Sequence, residues 1–381
     1  MTLLKKSLPL IVLIVPFLLP LVSKAQKIDT VSTFTISAYI DAYYASYNDS
    51  TGQGSLEKFA TTSSRNNNLS LNIASISCRY NAEKIRAAFA LNYGDIATSS
   101  FPHPYNNVLE AHIGFKIYSK LWIDAGFFRP HLGTEFILPV ENITTSVAVV
   151  TFYEPAYESG VRLNFDPTNK LEINLFLLNG YNMYIDNNNK KSFGMGITYL
   201  FGNNVDIGYT NYIGDDTPPS DPTAHLRIHQ NVFFNYHRNK IKAQLGGDYC
   251  LQQNSDIATH SKEASMYSAL ATIKYLCTKK FSIYSRGEVF SDPDGFMSTV
   301  IVDEAGNYTG YKLWGITAGM EYKPTPQSYV RLEGRHLQMD KNQYIFDFNN
   351  SLRNNRNEVV IDAGISFDLL KRTGTRISET E

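Results

Sequence analysis

Charged side chains recur in this sequence at alternate positions within otherwise apolar stretches. Arg86, Glu110, Asp124, Arg162, Glu172 and Lys242 fall in the first two thirds, and Arg286, Glu288, Arg331, Glu333, Arg335 and Asp362 in the last. Both signs share one parity, so they imply a wet surface rather than a single reactive centre. Such charges cost about 2–4 kcal/mol on a lipid-facing surface and little in an aqueous lumen. Enzymatic chemistry finds no comparable support. His225 and His229 are four apart, a spacing that suits a metal on a helix but separates them by about 13 Å on a strand. The eight histidines are scattered and no G-x-S-x-G selects a nucleophile. Asp215-Asp216 and Asp292-Pro293-Asp294-Gly295 suit calcium in outer loops but read more simply as turns. The sequence therefore assigns no catalytic residue, metal or cofactor, and the chain is not expected to be an enzyme.

The elements that carry these charges have a period of two. Phe34, Ile36, Ala38, Ile40 and Ala42 alternate with Thr35, Ser37, Tyr39, Asp41 and Tyr43, and comparable faces continue through Val359, Ile361, Ala363, Ile365 and Phe367. Between Ile73 and Ile76 the phase changes, which predicts a bulge. Short connections at 81–83, 119–120, 166–170, 202–204, 238–239, 278–279 and 323–327 alternate with long ones near 48–66, 94–108, 129–158, 180–191, 213–225, 252–263, 291–309 and 340–356. Aromatics such as Tyr80, Tyr118, Phe201, Tyr236 and Tyr275 sit at strand ends, as interfacial girdles require. This predicts an all-β fold: an antiparallel transmembrane β-barrel of about 16 strands with long extracellular loops and short periplasmic turns. A soluble β-sandwich gives the same alternation in any one strand, but not the registered succession of long and short connections.

Composition narrows the setting. The chain has 381 residues, 19% charged and 13% aromatic, with a formal net charge of −1, so it carries no basic field for nucleic acid. Residues 1–25 read as a cleavable signal: Lys5 and Lys6, the apolar run Leu8 to Val22, then Ser23-Lys24-Ala25. Without it, 32 basic residues face 36 acidic ones. Nothing further along is apolar enough for a membrane helix. Cys78, Cys250 and Cys277 are odd in number and widely spaced, which excludes a disulfide framework.

Asp124-Ala125-Gly126-Phe127-Phe128-Arg129-Pro130-His131-Leu132-Gly133-Thr134-Glu135, followed by Gly160-Val161-Arg162-Leu163 and Leu178-Asn179-Gly180-Tyr181-Asn182, resembles the OmpL-like β-barrel porin family of Gram-negative outer membranes. The likeness in strand and loop rhythm covers most of residues 33–370. It implies an outer-membrane porin and carries no particular ligand with it. Phe367 is followed by Asp368 to Glu381, so the barrel is expected over 26–370 and a polar tail over 371–381.

The connection 129–158 is too apolar, at Val147 to Val150, for an external loop, and is expected to fold against the inner wall. There Arg129, Glu135, Glu141 and Glu154 are expected to face Arg162, Arg286, Arg331 and Arg335 across a pore constriction. The expected function is passive diffusion of small hydrophilic solutes through a water-filled channel. The alternative is a non-conducting barrel for adhesion or ligand binding. Outer-membrane lipid and the outer-membrane assembly machinery are the expected partners; a homo-oligomer is allowed and nucleic acid is not expected.

Overall fold

The structure, a computed structural model, describes residues 30–49, 54–57, 59 and 61–376. The expected signal segment 1–25 lies outside them. The first eight strands are β1 (Thr30–Tyr47), β2 (Asn68–Asn81), β3 (Ile85–Tyr93), β4 (Val108–Tyr118), β5 (Leu121–Phe128), β6 (Glu158–Thr168), β7 (Leu171–Leu178) and β8 (Ser192–Phe201). They are followed by β9 (Val205–Asp215), β10 (Leu226–Arg238), β11 (Ile241–Gln252), β12 (Ala264–Leu276) and β13 (Phe281–Ser291). After a short hairpin, β14 (Ile301–Val302) and β15 (Tyr308–Thr309), come β16 (Lys312–Tyr322) and β17 (Ser328–Met339). A second hairpin, β18 (Phe346–Phe348) and β19 (Ser351–Arg353), precedes β20 (Asn355–Arg376). Setting the two hairpins aside, each strand pairs antiparallel with its sequence neighbours and β20 closes on β1, giving a closed barrel of 16 strands. Closure leaves no free edge, which is what permits strands to span a bilayer.

Alternation sets the two faces. On β1, Asp41 and Tyr43 are buried inward while Ile40 and Tyr44 are 43% exposed on the outside. On β7, Leu175 and Leu177 face out and Phe176 and Leu178 face in. The phase change foreseen near 73–76 is a bulge at Asn72, where β2 shifts register opposite Asp41 and Ala42 and the Asn72 amide donates to Asp41. Tyr80, Tyr118, Phe201 and Tyr275 face outward at strand ends, as a girdle needs. Tyr236, near the end of β10, shares the outward parity of Val232, which is 54% exposed. The C-terminal boundary also differs from the reading: β20 continues beyond 370 to Arg376, pairing Lys371 with Thr35 and Thr373 with Thr33. The polarity of 371–374 marks water-facing strand, because β1 offers pairing partners as far as Thr30.

The inner wall is more varied than its charges suggest. Asp41, Asp124, Arg286, Arg331, Glu333 and Asp362 are buried inside, yet so are Met266, Leu270, Phe290, Leu313, Leu337 and Met339. These apolar residues occupy inward positions of β12, β13, β16 and β17, and form one cluster with Ala148, Val149 and Val150 from the β5–β6 connection. The cluster places that connection inside the barrel.

Candidate functional site

The β5–β6 connection, residues 129–157, has single-turn helices at Pro139–Glu141 and Val149–Phe152 and otherwise offers unpaired backbone groups. A segment without ladder partners inside a barrel must find them on the wall. Glu333 accepts from the Thr145 and Ser146 amides at 2.7 and 3.0 Å, and Glu288 from the Val149 amide at 2.7 Å. Arg331 donates to the carbonyls of Pro139, Thr144 and Asn142. Arg286 donates to the Ser146 carbonyl at 2.6 Å and Thr144 Oγ1 at 2.9 Å, and lies 3.3 Å from Glu135. The wall charges therefore serve as backbone partners for the loop. Val147 to Val150 are almost fully buried, and Ala148, Val149 and Val150 join the apolar cluster of the wall. Burying each valine contributes up to about 1.5–3 kcal/mol.

The loop approaches the wall closely at two inward glycines. A Cβ on Gly246 would stand 2.2 Å from Thr134 Oγ1, and one on Gly194 would stand 2.6 Å from the His131 ring. His131 stacks on Phe176 at 4.1 Å and places Nδ1 2.7 Å from Glu158 and Nε2 2.7 Å from the Asn211 carbonyl. Both nitrogens face acceptors, an arrangement that favours the doubly protonated ring. Burial opposes that charge, but Glu158 outweighs it and raises the pKa of His131. Burial likewise pushes the Glu135 carboxyl up against the pull of Arg286. Glu154 is pushed up further: it is buried, its oxygens have no hydrogen-bond partner among the described residues, and the Asp248 carboxylate of β11 adds repulsion.

The seated loop packs against β12 to β17 and meets β7 to β11 through His131 and Thr134, leaving space beside those contacts. A cavity of about 810 Å³ lies between the loop and β6 to β11, bordered by Arg129, Phe136, Glu141, Arg162, Glu172 and Lys242. A second, of about 500 Å³, opens on the long-loop side. A void of about 20 Å³ lies between them. It shares Arg129, Pro130 and Phe136 with the larger cavity and Ile137, Thr151 and Ala156 with the outer one. A charged, water-accessible lumen narrowed by an inserted loop is porin architecture, and the family model for beta-barrel porin-2, OmpL-like, matches residues 33–367.

The chain belongs to that family.

As a member of this porin family it is a protein of the Gram-negative outer membrane, and porins are channels rather than enzymes. No curated protein matches the sequence. Solved structures share its fold at low identity. The outer-membrane channel DcaP of Acinetobacter baumannii is 11% identical with a TM-score of 0.57, covering 91% of this chain and 99% of that one. The trimer form of OmpT of Vibrio cholerae is 11% identical with a TM-score of 0.56, over 88% and 99%. The anion-selective porin from Comamonas acidovorans is 8% identical with a TM-score of 0.55, over 88% and 100%.

The porin's structure brings together only part of the charge set expected from sequence. Glu135 meets Arg286 as expected. Glu141 instead pairs with Arg129 of its own loop. Glu154 meets none of the four wall arginines; Asp248 is the wall residue beside it. Arg331 pairs with Glu321, Arg335 with Glu288 and Arg162 with Asp124, all on the wall. Sequence spacing did not reveal Glu333, Glu288 and the apolar inner patch as loop partners. Met266, Leu270, Leu313 and Leu337, apolar residues on the otherwise polar parity, were the available signal.

Proposed function

We propose that this porin passes small hydrophilic solutes by passive diffusion, along a water path between the inserted loop and the β6 to β11 wall. The observation that carries the reading is the lopsided seat of the loop, which leaves the cavity of about 810 Å³ open beside it. Solutes entering from the long-loop side pass the outer cavity and then the narrow void, where Arg129, Glu135 and Glu154 form its polar border with Phe136 and Ile137. Arg129, Glu141 and Arg162 then line the wider space below. Arg286, Arg331 and Arg335 act through the loop, since each is almost fully buried. Ions of both signs at a partly dehydrated neck disfavour apolar solutes, because each must replace ordered water. The chain reaches this state after removal of residues 1–25 and insertion by the outer-membrane assembly machinery.

Liposome swelling tests the proposal. Vesicles containing the purified protein should swell in isotonic solutions of small sugars or amino acids, at rates that fall steeply with solute size. Absence of swelling with correctly folded barrel in the vesicles would favour the non-conducting reading, an adhesion or ligand-binding barrel.

A further inference from the structure

On the wall away from the loop seat, β2, β3 and β6 bring three arginines together. Arg86 donates from Nε to Asp124 Oδ1 at 2.7 Å and from Nη1 to Asn164 Oδ1 at 3.2 Å. Arg162 donates from Nε to Asp124 Oδ2 at 3.1 Å, and Arg79 pairs with Glu110. The layering is one-sided. The Asp124 and Glu110 side chains are 0% and 6% exposed, whereas those of Arg79, Arg86 and Arg162 are 51%, 21% and 24% exposed. Carboxylates stand behind and guanidinium groups face the water, three cations over two anions. A cavity of about 170 Å³ opens among them and meets the main lumen at Arg162, which borders both.

We propose that Arg79, Arg86 and Arg162 form a subsite for an oxyanion, the carboxylate or phosphate group of a small solute, on the path through the channel. This rests on the diffusion reading above and adds a substrate class to it. A guanidinium fork presents paired N–H donors at the spacing of two oxygens on one carboxylate or phosphate. Arg79 and Arg162 each leave Nη1 without a hydrogen bond among the described residues. The carboxylates behind hold the forks in place, which lowers the entropy cost of binding. They also cancel part of the charge, so an anion is held weakly enough to leave, as conduction requires.

Trp122 provides a reporter, because the Arg86 guanidinium lies 4.6 Å from its ring centre. The chain has two tryptophans, so Trp314→Phe leaves Trp122 alone. This full-length protein in detergent is titrated with inorganic phosphate and, separately, with acetate at constant ionic strength. A saturable change in Trp122 fluorescence is expected with at least one of them, and which one responds identifies the oxyanion. Arg79→Gln and Arg162→Gln, each made separately, should weaken that response about tenfold, the worth of one charge-assisted hydrogen bond. In planar bilayers phosphate should reduce the chloride current of the parent and not of these variants. No response to either anion, or an equal response in the variants, overturns the subsite whether or not the protein conducts. A saturable, arginine-dependent response in a protein that does not conduct would keep the subsite and sink the diffusion reading.

Discussion

Replacing Glu333 with glutamine should release the loop while leaving the barrel intact. Glu333 is 1% exposed and its two oxygens accept from two loop amides, Thr145 and Ser146. Glutamine keeps one acceptor and turns an NH₂ group toward the other amide. The seat loses one charge-assisted hydrogen bond, and a buried donor then faces a donor, together about 3–5 kcal/mol. At about 1.4 kcal/mol per tenfold, the unseated population rises by about 10² to 10⁴-fold. Single-channel recording should show larger and noisier openings. A protease specific for glutamate should then cut the loop at Glu135, Glu141 or Glu154 in the folded variant and spare it in the parent. Heat-modifiable gel mobility checks that the barrel itself has formed. Parent-like conductance and parent-like protection in a folded Glu333→Gln protein would refute the assignment of the wall carboxylates as the loop's backbone partners.

Three further outcomes follow from the same geometry. Leu175→Arg, on the lipid face, should cost about 2–4 kcal/mol in urea unfolding from vesicles, and Asn174→Arg, on the lumen side, much less; equal losses would mean a sheet buried on both faces. Gly246→Val should displace Thr134 and raise conductance, because even a Cβ there would stand 2.2 Å from Thr134 Oγ1; a parent-like channel would place the loop elsewhere. Burial and Asp248 hold the Glu154 carboxyl well above its usual value of 4.5, so the seated loop binds a proton that the released loop gives up. The seat is therefore firmest in acid and loosens as pH rises above 4.5. Current noise should grow with pH in the parent and stay flat in Glu154→Gln, and an identical pH profile in the two would remove Glu154 from the seat.

The barrel was legible in the sequence because one strand face meets lipid and the other water, so Ile40 and Asp41 or Leu175 and Asn174 declare their sides by type alone. Loop rhythm was equally plain, since long and short connections alternate by necessity in an antiparallel barrel. Insertion of the 129–158 segment could be read from Val147 to Val150, four apolar residues with no reason to face water. Apart from Glu135 with Arg286, its charge partners could not. Whether Glu141 meets Arg162 or Arg129 depends on where a loop without periodic structure turns, and Arg331 and Arg335 found nearer carboxylates on the wall, in Glu321 on the adjacent strand and Glu288 two strands away. The inner apolar patch was written in the sequence as Leu313 and Leu337, on the parity otherwise taken by charges. The strand after 370 was obscured by the polarity of Lys371 and Arg372, which suits a strand end in water as well as a tail.

The central claim is that the inserted loop narrows a conducting channel. Single-channel recording in planar bilayers, comparing the parent with a variant whose residues 140–150 are replaced by a short Gly/Ser link, addresses it directly. The link removes Val147 to Val150 together with the Thr145, Ser146 and Val149 amides that anchor the seat. The expected result is a conducting parent and a variant of distinctly higher unit conductance. A folded variant that conducts like its parent, or a folded parent that does not conduct, would contradict the account.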